Sequence, residues 1–286
     1  MTKPSFILLI LYLSGITSFS QEQKIDRQLR LRFLGGFMNY QGDLNPTSFS
    51  LSHSRFAAGI AIVKPLNRWF SLRAGFTTGK VEAADRYNRD YLKPRNLSFF
   101  STLTEVQAAL EINILDIERS RISPYLFAGI AFFHFNPWTY DDGGQKVFLK
   151  PLSTEGQGLS EYPSQKPYEL TQLSLPYGIG LRYRLTDAIV IGVEFSQRKT
   201  FTDYLDDVSS YYVDRDILMN RKGAQAIQLG YRGNSAYPAS GEQRGTPTEN
   251  DWYYTGGFTV ECKLNTLLGL LGISTGSSWK CPSNVY

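Results

Sequence analysis

The sequence has very little of the material from which enzymes and metal centres are commonly built. Its 286 residues include 2 Cys, 3 Met and 2 His. Two cysteines cannot form a disulfide-rich scaffold or a four-cysteine zinc site. The formal net charge of +4 is small and dispersed, so the basic patch of a nucleic-acid-binding protein is lacking too. The composition therefore argues against nucleic acid as a partner and against redox or zinc chemistry.

Long apolar runs are also lacking, since no stretch beyond the N-terminus approaches the ~20 apolar residues that a transmembrane helix needs. Residues 1–20 predict a secretory signal peptide, with Lys3 as the positive region, residues 6–13 as the apolar region and small residues before a cleavage site at Gln21. A membrane anchor is the alternative, disfavoured because the apolar run is short. We expect the mature chain, residues 21–286, outside the cytoplasm.

The sequence is rich in aromatic and small residues, with 18 Phe, 18 Tyr and 25 Gly. Beyond residue 28 it divides into segments in which apolar and polar side chains alternate with a period of two, the pattern of β-strands. For example, Leu175, Ile179 and Leu181 alternate with Arg182 and Arg184. Eight such strands are predicted, at residues 29–37, 55–63, 66–79, 103–114, 124–135, 174–185, 189–199 and 252–264. Both faces of the 124–135 segment are apolar or small, so its register stays open.

Two environments explain the alternation. A soluble barrel or sandwich points its apolar face inward and its polar face toward water. An outer-membrane barrel does the reverse, with apolar side chains toward lipid and polar ones toward the lumen. The second is favoured because the polar faces carry opposite charges that can pair in a lumen, and because the segments match the ~9–11 residues of a tilted crossing. The predicted lumen charge network is Arg30, Arg32, Glu105, Glu111, Arg182, Arg184, Glu194 and Glu261.

The lengths of the connections support the same architecture. Short connections at 64–69, 116–123 and 186–188 alternate with long ones at 40–54, 80–98, 136–173 and 200–251. Short periplasmic turns and long outer loops are typical of bacterial outer-membrane barrels. We therefore predict an all-β protein, an eight-stranded antiparallel outer-membrane β-barrel with long extracellular loops. Its strands span about residues 29–264, a tail covers 265–286, and pairing of Cys262 with Cys281 is left open.

The sequence contains no motif for catalysis or cofactor binding. The patterns GxSxG, HExxH, the P-loop and CxxC are all missing. Gly178 and Gly180 match part of a dinucleotide fingerprint but lie within a predicted strand. His134 is the one histidine in a strand; a catalytic Ser/His pair is conceivable, but its neighbours offer no nucleophile and a packing role is favoured. We expect no enzyme activity and no cofactor.

Two loop segments carry the remaining polar chemistry. One is residues 151–159, a Gly-rich stretch suited to folding over a barrel mouth; the other surrounds Asp203, Asp206 and Asp207. These aspartates could bind calcium, but they lack the spacing of an EF-hand. Capping of a short helix starting at Tyr204 is favoured instead. Because loops on a rigid scaffold commonly carry recognition, we predict partner-contacting residues at Glu155, Gln157, Asp203, Tyr204, Asp206 and Asp207.

Several segments also carry a family resemblance: residues 39–44 (NYQGDL), 123–129 (SPYLFAG), 151–159 (PLSTEGQGL), 176–180 (PYGIG) and 198–209 (RKTFTDYLDDVS). They resemble a family of outer-membrane β-barrels that includes the barrel subunit of the type IX secretion system. The resemblance implies a non-enzymatic barrel in the cell outer membrane that anchors or assists a larger assembly for protein secretion. Its partners would be outer-membrane lipid and other secretion-system or envelope proteins. The alternatives are a small porin-like channel and a lipid-modifying barrel enzyme.

Overall fold

Ten β-strands form a single antiparallel sheet in the computed structural model, which describes residues 28–47 and 53–270. The strands are β1 (Arg30–Gln41), β2 (Arg55–Pro65), β3 (Phe70–Ala84), β4 (Ser98–Asn113), β5 (Ile122–His134), β6 (Trp138–Tyr140), β7 (Lys146–Phe148), β8 (Thr171–Arg184), β9 (Ile189–Thr200) and β10 (Trp252–Lys263). The helices are α1 (Arg215–Lys222), α2 (Ala224–Gly230) and α3 (Leu264–Leu270). Among the residues described, no helix has the length and apolar character to cross a membrane.

Eight of these strands close into a barrel. The order β3-β2-β1-β10-β9-β8-β5-β4 is completed by pairing of β3 with β4, while β6 and β7 form a small hairpin attached to the edge of β4. In the β1–β10 pair, Arg32 lies opposite Glu261, and in the β8–β9 pair Gly180 lies opposite Glu194. The eight predicted strands and the closed barrel are confirmed. The alternation with a period of two reflects the two different faces of this sheet, one toward the lumen and one toward the outside.

The boundaries differ from the prediction around β3. The predicted start at residue 66 is wrong, since the N–H groups of Leu66 and Asn67 both donate to the carbonyl of Phe70 and form a tight turn. At the other end β3 and β4 stay paired as far as Ala84 and Ser98, well beyond the apolar pattern. This hairpin therefore extends past the alternating segments that the sequence marks.

The barrel is apolar outside and charged inside. Ile179 is 58% exposed on the outer wall, whereas Arg182, three residues further along β8, is 4% exposed in the lumen. Leu175 and Leu181 point outward with Ile179, and the open register of β5 places Tyr125 inward and Leu126 outward. A continuous apolar exterior around a closed antiparallel sheet is the arrangement that a lipid bilayer requires. The chain is thus a β-barrel of the outer membrane.

All of the long connections lie at one end of the barrel and pack together. We call this the cap, made of residues 42–47, 85–97, 135–170 and 201–251. It has a hydrophobic core in which Leu205, Leu218 and Leu229 are almost fully buried. This core continues into the barrel through residues of the strands: Met38, Tyr40, Phe99, Leu103, Phe133 and Tyr253. The cap is therefore a folded extension of the barrel. The short turns lie at the opposite end, called the turn end.

Local sequence explains one ordered element of the cap. The Asp214 carboxylate accepts hydrogen bonds from the N–H groups of Asp216 and Ile217 and so caps α1. Gly223 ends that helix with a φ of +85°, a conformation that glycine adopts without strain. The predicted helix at Tyr204 is wrong, because residues 201–210 are irregular and Asp207 itself has a φ of +67°. The predicted signal peptide and Cys281 lie outside the described residues.

Candidate functional site

The middle of the lumen is filled by an ion-pair cluster around Arg32. Its guanidinium lies 2.7 Å from a Glu111 oxygen, 2.8 Å from Glu261 and 3.1 Å from Glu194. These four side chains come from β1, β4, β9 and β10, so the cluster spans the lumen rather than lining one wall. Charged groups removed from water are tolerated when they are paired in this way.

Two further arginines balance the three glutamates. Arg73 of β3 lies 2.6 Å from Glu194, and Arg182 of β8 contacts Glu111 and lies 3.0 Å from Glu261. The three arginines and three glutamates, Arg32, Arg73, Arg182, Glu111, Glu194 and Glu261, are named the central network. Six alternating charges in mutual contact leave no net charge in the middle of the lumen.

Aromatic rings fill the space that remains. The Tyr125 hydroxyl donates to Glu194 at 2.6 Å, and the Arg182 guanidinium lies 3.9 Å from the centre of the Tyr125 ring. Gly180 makes room for this ring, since a Cβ at that position would overlap it. Gly180 of β8 thus has a packing role. A space beside Arg32 and Arg73 measures about 20 Å³, enough for about one water molecule.

A second ion pair closes the lumen on the side of the cap. Arg198 donates from Nε and from a terminal nitrogen to the two oxygens of Glu105, each at 3.0 Å. The Tyr253 hydroxyl donates to the same carboxylate at 2.6 Å. A two-pronged guanidinium–carboxylate pair fixes both distance and orientation. The lumen is therefore occupied by paired charges at two levels.

The structure brings most, but not all, of the predicted network together. Arg30 and Arg184 lie at the turn end, where both approach Glu118 of the connection between β4 and β5, instead of the four predicted glutamates. The prediction that Arg30 and Arg184 pair with these glutamates is therefore wrong. Their positions at the last paired residues of β1 and β8 explain the difference. Arg73 joins the central network instead, and the predicted Glu105 lies nearer the cap, paired with Arg198. Both arginines lie on the polar faces of their strands, the signal by which a sequence reveals such residues.

In the cap, the predicted contact residue Glu155 is fully buried. Its carboxylate accepts hydrogen bonds from the N–H groups of Ser209 and Ser210 at 2.9 and 3.0 Å and from Arg244 at 2.7 Å. Gln157 is buried too, and its side-chain oxygen accepts from the N–H of Glu155. The 151–159 loop is therefore fastened to the 198–209 segment by its own acidic residue.

The aspartates of the second segment are also buried, as part of an acidic cluster. The Tyr40 hydroxyl lies 2.6 Å from Asp206 and 3.0 Å from Asp251. Burial raises the pKa of Asp206 to about 8, with a further contribution from the negative charge of Asp43. Burial also raises the pKa of Asp203 to about 9 and the pKa of Asp251. This part of the cap favours carboxyl groups in their neutral form.

Asp207 faces away from that cluster toward a positive charge. It accepts hydrogen bonds from Thr154 at 2.6 Å and from Tyr168 at 2.8 Å, and its carboxylate lies 3.9 Å from Arg244. Burial raises the pKa of Asp207 to about 6, and the Arg244 charge opposes the rise. Tyr204 stacks on Tyr168 with ring centres 4.8 Å apart.

Five of the six predicted partner-contact residues are thus buried within the cap, and Tyr204 is half-buried. The prediction that these five side chains contact a partner directly is therefore corrected. Glu155, Asp206 and Asp207 instead bond to residues of other segments. Within residues 28–47 and 53–270, no group of three or more His, Cys, Asp or Glu is arranged to hold a metal ion. His134 lies exposed at the cap end of β5, with Nδ1 3.0 Å from the Thr171 hydroxyl.

Comparisons with solved structures find proteins of the same fold. Neisserial surface protein A (NspA) is 12% identical over 82% of this chain and 97% of its own, with a TM-score of 0.43. Ail of Yersinia pestis, solved with the heparin analogue sucrose octasulfate, is 10% identical over 83% of this chain and 99% of its own, with a TM-score of 0.40. A major outer membrane protein of Thermus thermophilus is 12% identical over 82% and 98%, with a TM-score of 0.40.

These values express a likeness of fold and carry no functional information. Comparison with curated proteins finds no match to the sequence. One family does match, over residues 5–219, and its description is a domain of unknown function, DUF6089. The match covers most of the chain, including seven of the eight barrel strands and much of the cap. The chain belongs to the DUF6089 family.

Proposed function

We propose that this protein is a non-enzymatic, non-conducting anchor that holds its folded cap at the outer surface and serves as an accessory subunit of a larger envelope assembly. The observation that carries the proposal is the central network. An eight-stranded barrel has a lumen just wide enough to be filled by side chains. Here the lumen is filled by paired charges, and separating buried charges from their partners costs free energy. The barrel is therefore suited to holding the cap in the membrane and not to conducting solutes.

Conductance in planar bilayers tests the closed lumen against the porin-like alternative. We expect the wild-type protein to show no unitary current steps. The charge-balanced double variant Arg73→Ala/Glu194→Ala should open a small conductance, because it removes two of the groups that fill the lumen. Leu175→Ala on the lipid-facing wall is the matched control and should stay closed. Steps from the wild-type protein would overturn the proposal.

The assembly that we propose is the type IX secretion machinery, on the strength of the resemblance in residues 198–209 and the neighbouring segments. Since the acidic residues of this segment are buried, we assign partner binding to the outer surface of the cap. Tyr91 and Tyr211 are exposed there, and aromatic side chains are enriched in protein interfaces. A cap presented on a rigid barrel suits a docking role.

Two measurements separate the parts of this proposal. Deletion of the gene should abolish export of secreted cargo into the culture fluid, and the wild-type gene should restore it. The variant Tyr91→Ala/Tyr211→Ala should fold normally but recover fewer partners from native membranes, whereas Ile179→Ala should match the wild type. Unchanged secretion after deletion would exclude the secretion role while leaving the anchor proposal intact. Hydrolysis of phospholipid by the purified protein would favour the enzyme alternative.

A further inference from the structure

A groove on the outer wall of the barrel lies close to the cap, along β2, β3, β4 and the β6–β7 hairpin. Its volume is about 610 Å³, within the range of small-molecule sites. We call it the interfacial groove. Its lining includes Phe56, Ala58, Thr78, Lys80, Phe100 and Trp138.

The groove lies where the outer wall changes from apolar to polar. On β3 the outward-facing residues are Leu72 and Phe76, followed by Thr78 and Lys80 toward the cap. The same change follows Val106 on β4, where the next outward-facing residues toward the cap are threonines. The boundary of the bilayer core is marked by such a change. The lining of the groove on β3 and β4 begins at Thr78 and Thr102, so the groove lies just on the cap side of the apolar band. Ala58 of β2 adjoins that band, because the next outward-facing residue of its strand is Ile60.

Aromatic side chains form the walls of the groove. Phe56 is 73% exposed on its floor. The Phe100 and Trp138 rings stack with centres 4.7 Å apart, and Tyr140 meets Trp138 edge-on at 5.1 Å. The hairpin carries Trp138 into this place because Trp138 pairs with Phe100 at the edge of β4. A concave wall of this kind differs from a flat belt of interfacial aromatics, since it can enclose one molecule.

The polar end of the groove has an excess of positive charge. Arg55 is neutralised by Glu82 at 2.6 Å. Lys80 is exposed and forms no ion pair with the part of the chain that the structure describes. Lys146 of the hairpin lies over the Trp138 ring, with Nζ 4.4 Å from its centre, and likewise has no acidic partner among the described residues. Lys80 lines the groove, and Lys146 lies on the ring of Trp138, which also lines it. Positive charge at the polar end of an apolar groove complements an anionic head group attached to an acyl chain.

We propose that the interfacial groove binds one phosphorylated lipid of the outer leaflet. Its acyl chain would lie on Phe56 and Ala58, its head group against Trp138 and Tyr140, and its phosphate between Lys80 and Lys146. A lipid is favoured over a free phosphate because the apolar floor is continuous with the lipid-facing band. It is favoured over a protein because the groove opens directly onto the edge of the lipid-facing band.

Native mass spectrometry of the full chain in detergent tests the site. The probes are bis-phosphorylated lipid A, its dephosphorylated form with the same acyl chains, and inorganic phosphate as a competitor. We expect one bound lipid A per barrel. The variant Lys80→Gln/Lys146→Gln should bind it at least tenfold more weakly, whereas Lys199→Gln, an exposed outward-facing lysine at the cap end of β9, should bind as the wild type does.

The removal of phosphate from the lipid should weaken binding to the wild type as strongly as the double variant does, and inorganic phosphate should not compete. Trp138→Ala should weaken binding of both lipid forms, because it removes a wall rather than a charge. Heat-modifiable migration on gels checks that each variant is folded. Equal binding of the two lipid forms, full competition by phosphate, or unchanged binding by the double lysine variant would each overturn the proposal. So would capture of an envelope protein, instead of lipid, that depends on Lys80.

Discussion

Arg198 and Glu105 are 93 positions apart in the chain, yet their side chains form a parallel pair of hydrogen bonds across the lumen, each 3.0 Å long. The pair joins β9 to β4, strands that are not neighbours in the barrel. It therefore connects opposite walls directly, in addition to the hydrogen bonds that run around the sheet.

Removing one member of this pair should be more harmful than removing both. Glu105→Gln leaves the Arg198 charge buried without its partner, a situation that costs roughly 3–5 kcal/mol. The double variant Glu105→Gln/Arg198→Met should recover part of that loss. Urea unfolding of the four proteins in lipid vesicles gives the interaction free energy of the pair. Additive effects of the two single changes would show that the pair is not coupled.

Side chains on the two faces of the barrel wall should report opposite environments. Spin labels at Ile179 and at Ser196, which faces the lumen, should be introduced with Cys262 and Cys281 replaced by serine. Lipid-soluble oxygen should relax the label at position 179 much more strongly than the label at 196. Comparable relaxation of both labels would contradict the orientation of the strands.

The cap should lose stability as the pH rises. Carboxyl groups whose folded-state pKa is raised bind more protons in the folded state, so stability falls with pH from the unfolded pKa of about 4 upward. For Asp206, with a pKa of about 8, the loss should continue to about pH 8 at up to about 1.4 kcal/mol per pH unit. Hydrogen exchange of residues 201–210 at pH 6 and pH 9 measures this loss of stability in the cap.

The matched variant for the pH experiment is Asp206→Asn, which cannot ionise. Its cap should depend less on pH than that of the wild type, even where its overall stability is lower. Asp216→Asn, at an exposed aspartate of α1, is the control and should keep the wild-type slope. A cap that becomes more protected between pH 6 and pH 9 would contradict the prediction.

The orientation of the barrel in the membrane can be tested with inserted epitopes. Gly143 and Gly144 form an exposed turn of the cap, and Asp187 lies in the short connection between β8 and β9. An epitope between the two glycines should be recognised by antibody on intact cells. The same epitope next to Asp187 should be recognised only after the outer membrane is opened. The reverse result would place the cap in the periplasm.

The strands of the barrel wall could be predicted because the alternation of apolar and polar residues is visible within each segment. Ile179 and Arg182 differ in the side of the sheet they face, and neighbouring residues reveal that side through the period of two. The alternation does not show which lumen side chains pair with one another. It placed Arg30 and Arg184 with the lumen glutamates, because period reports a face but not a height along the barrel.

The cap could not be predicted in the same way, because its contacts join distant segments. Glu155 meets Arg244 across 89 positions, and Tyr40 meets Asp206 across 166. Nothing in the residues around Asp206 shows that a tyrosine of the first strand will reach it. Loop aspartates are usually solvated or cap helices, so the sequence favoured an exposed loop or a helix start where the structure has a buried acidic cluster.

The continuity between cap and barrel has a consequence for biogenesis. Tyr40, Phe99, Phe133 and Tyr253 contribute to the core of the cap, but they belong to four different strands. The surface on which the long connections pack does not exist until β1, β4, β5 and β10 have come together. We therefore expect the long connections to reach their final packing only after these four strands have come together.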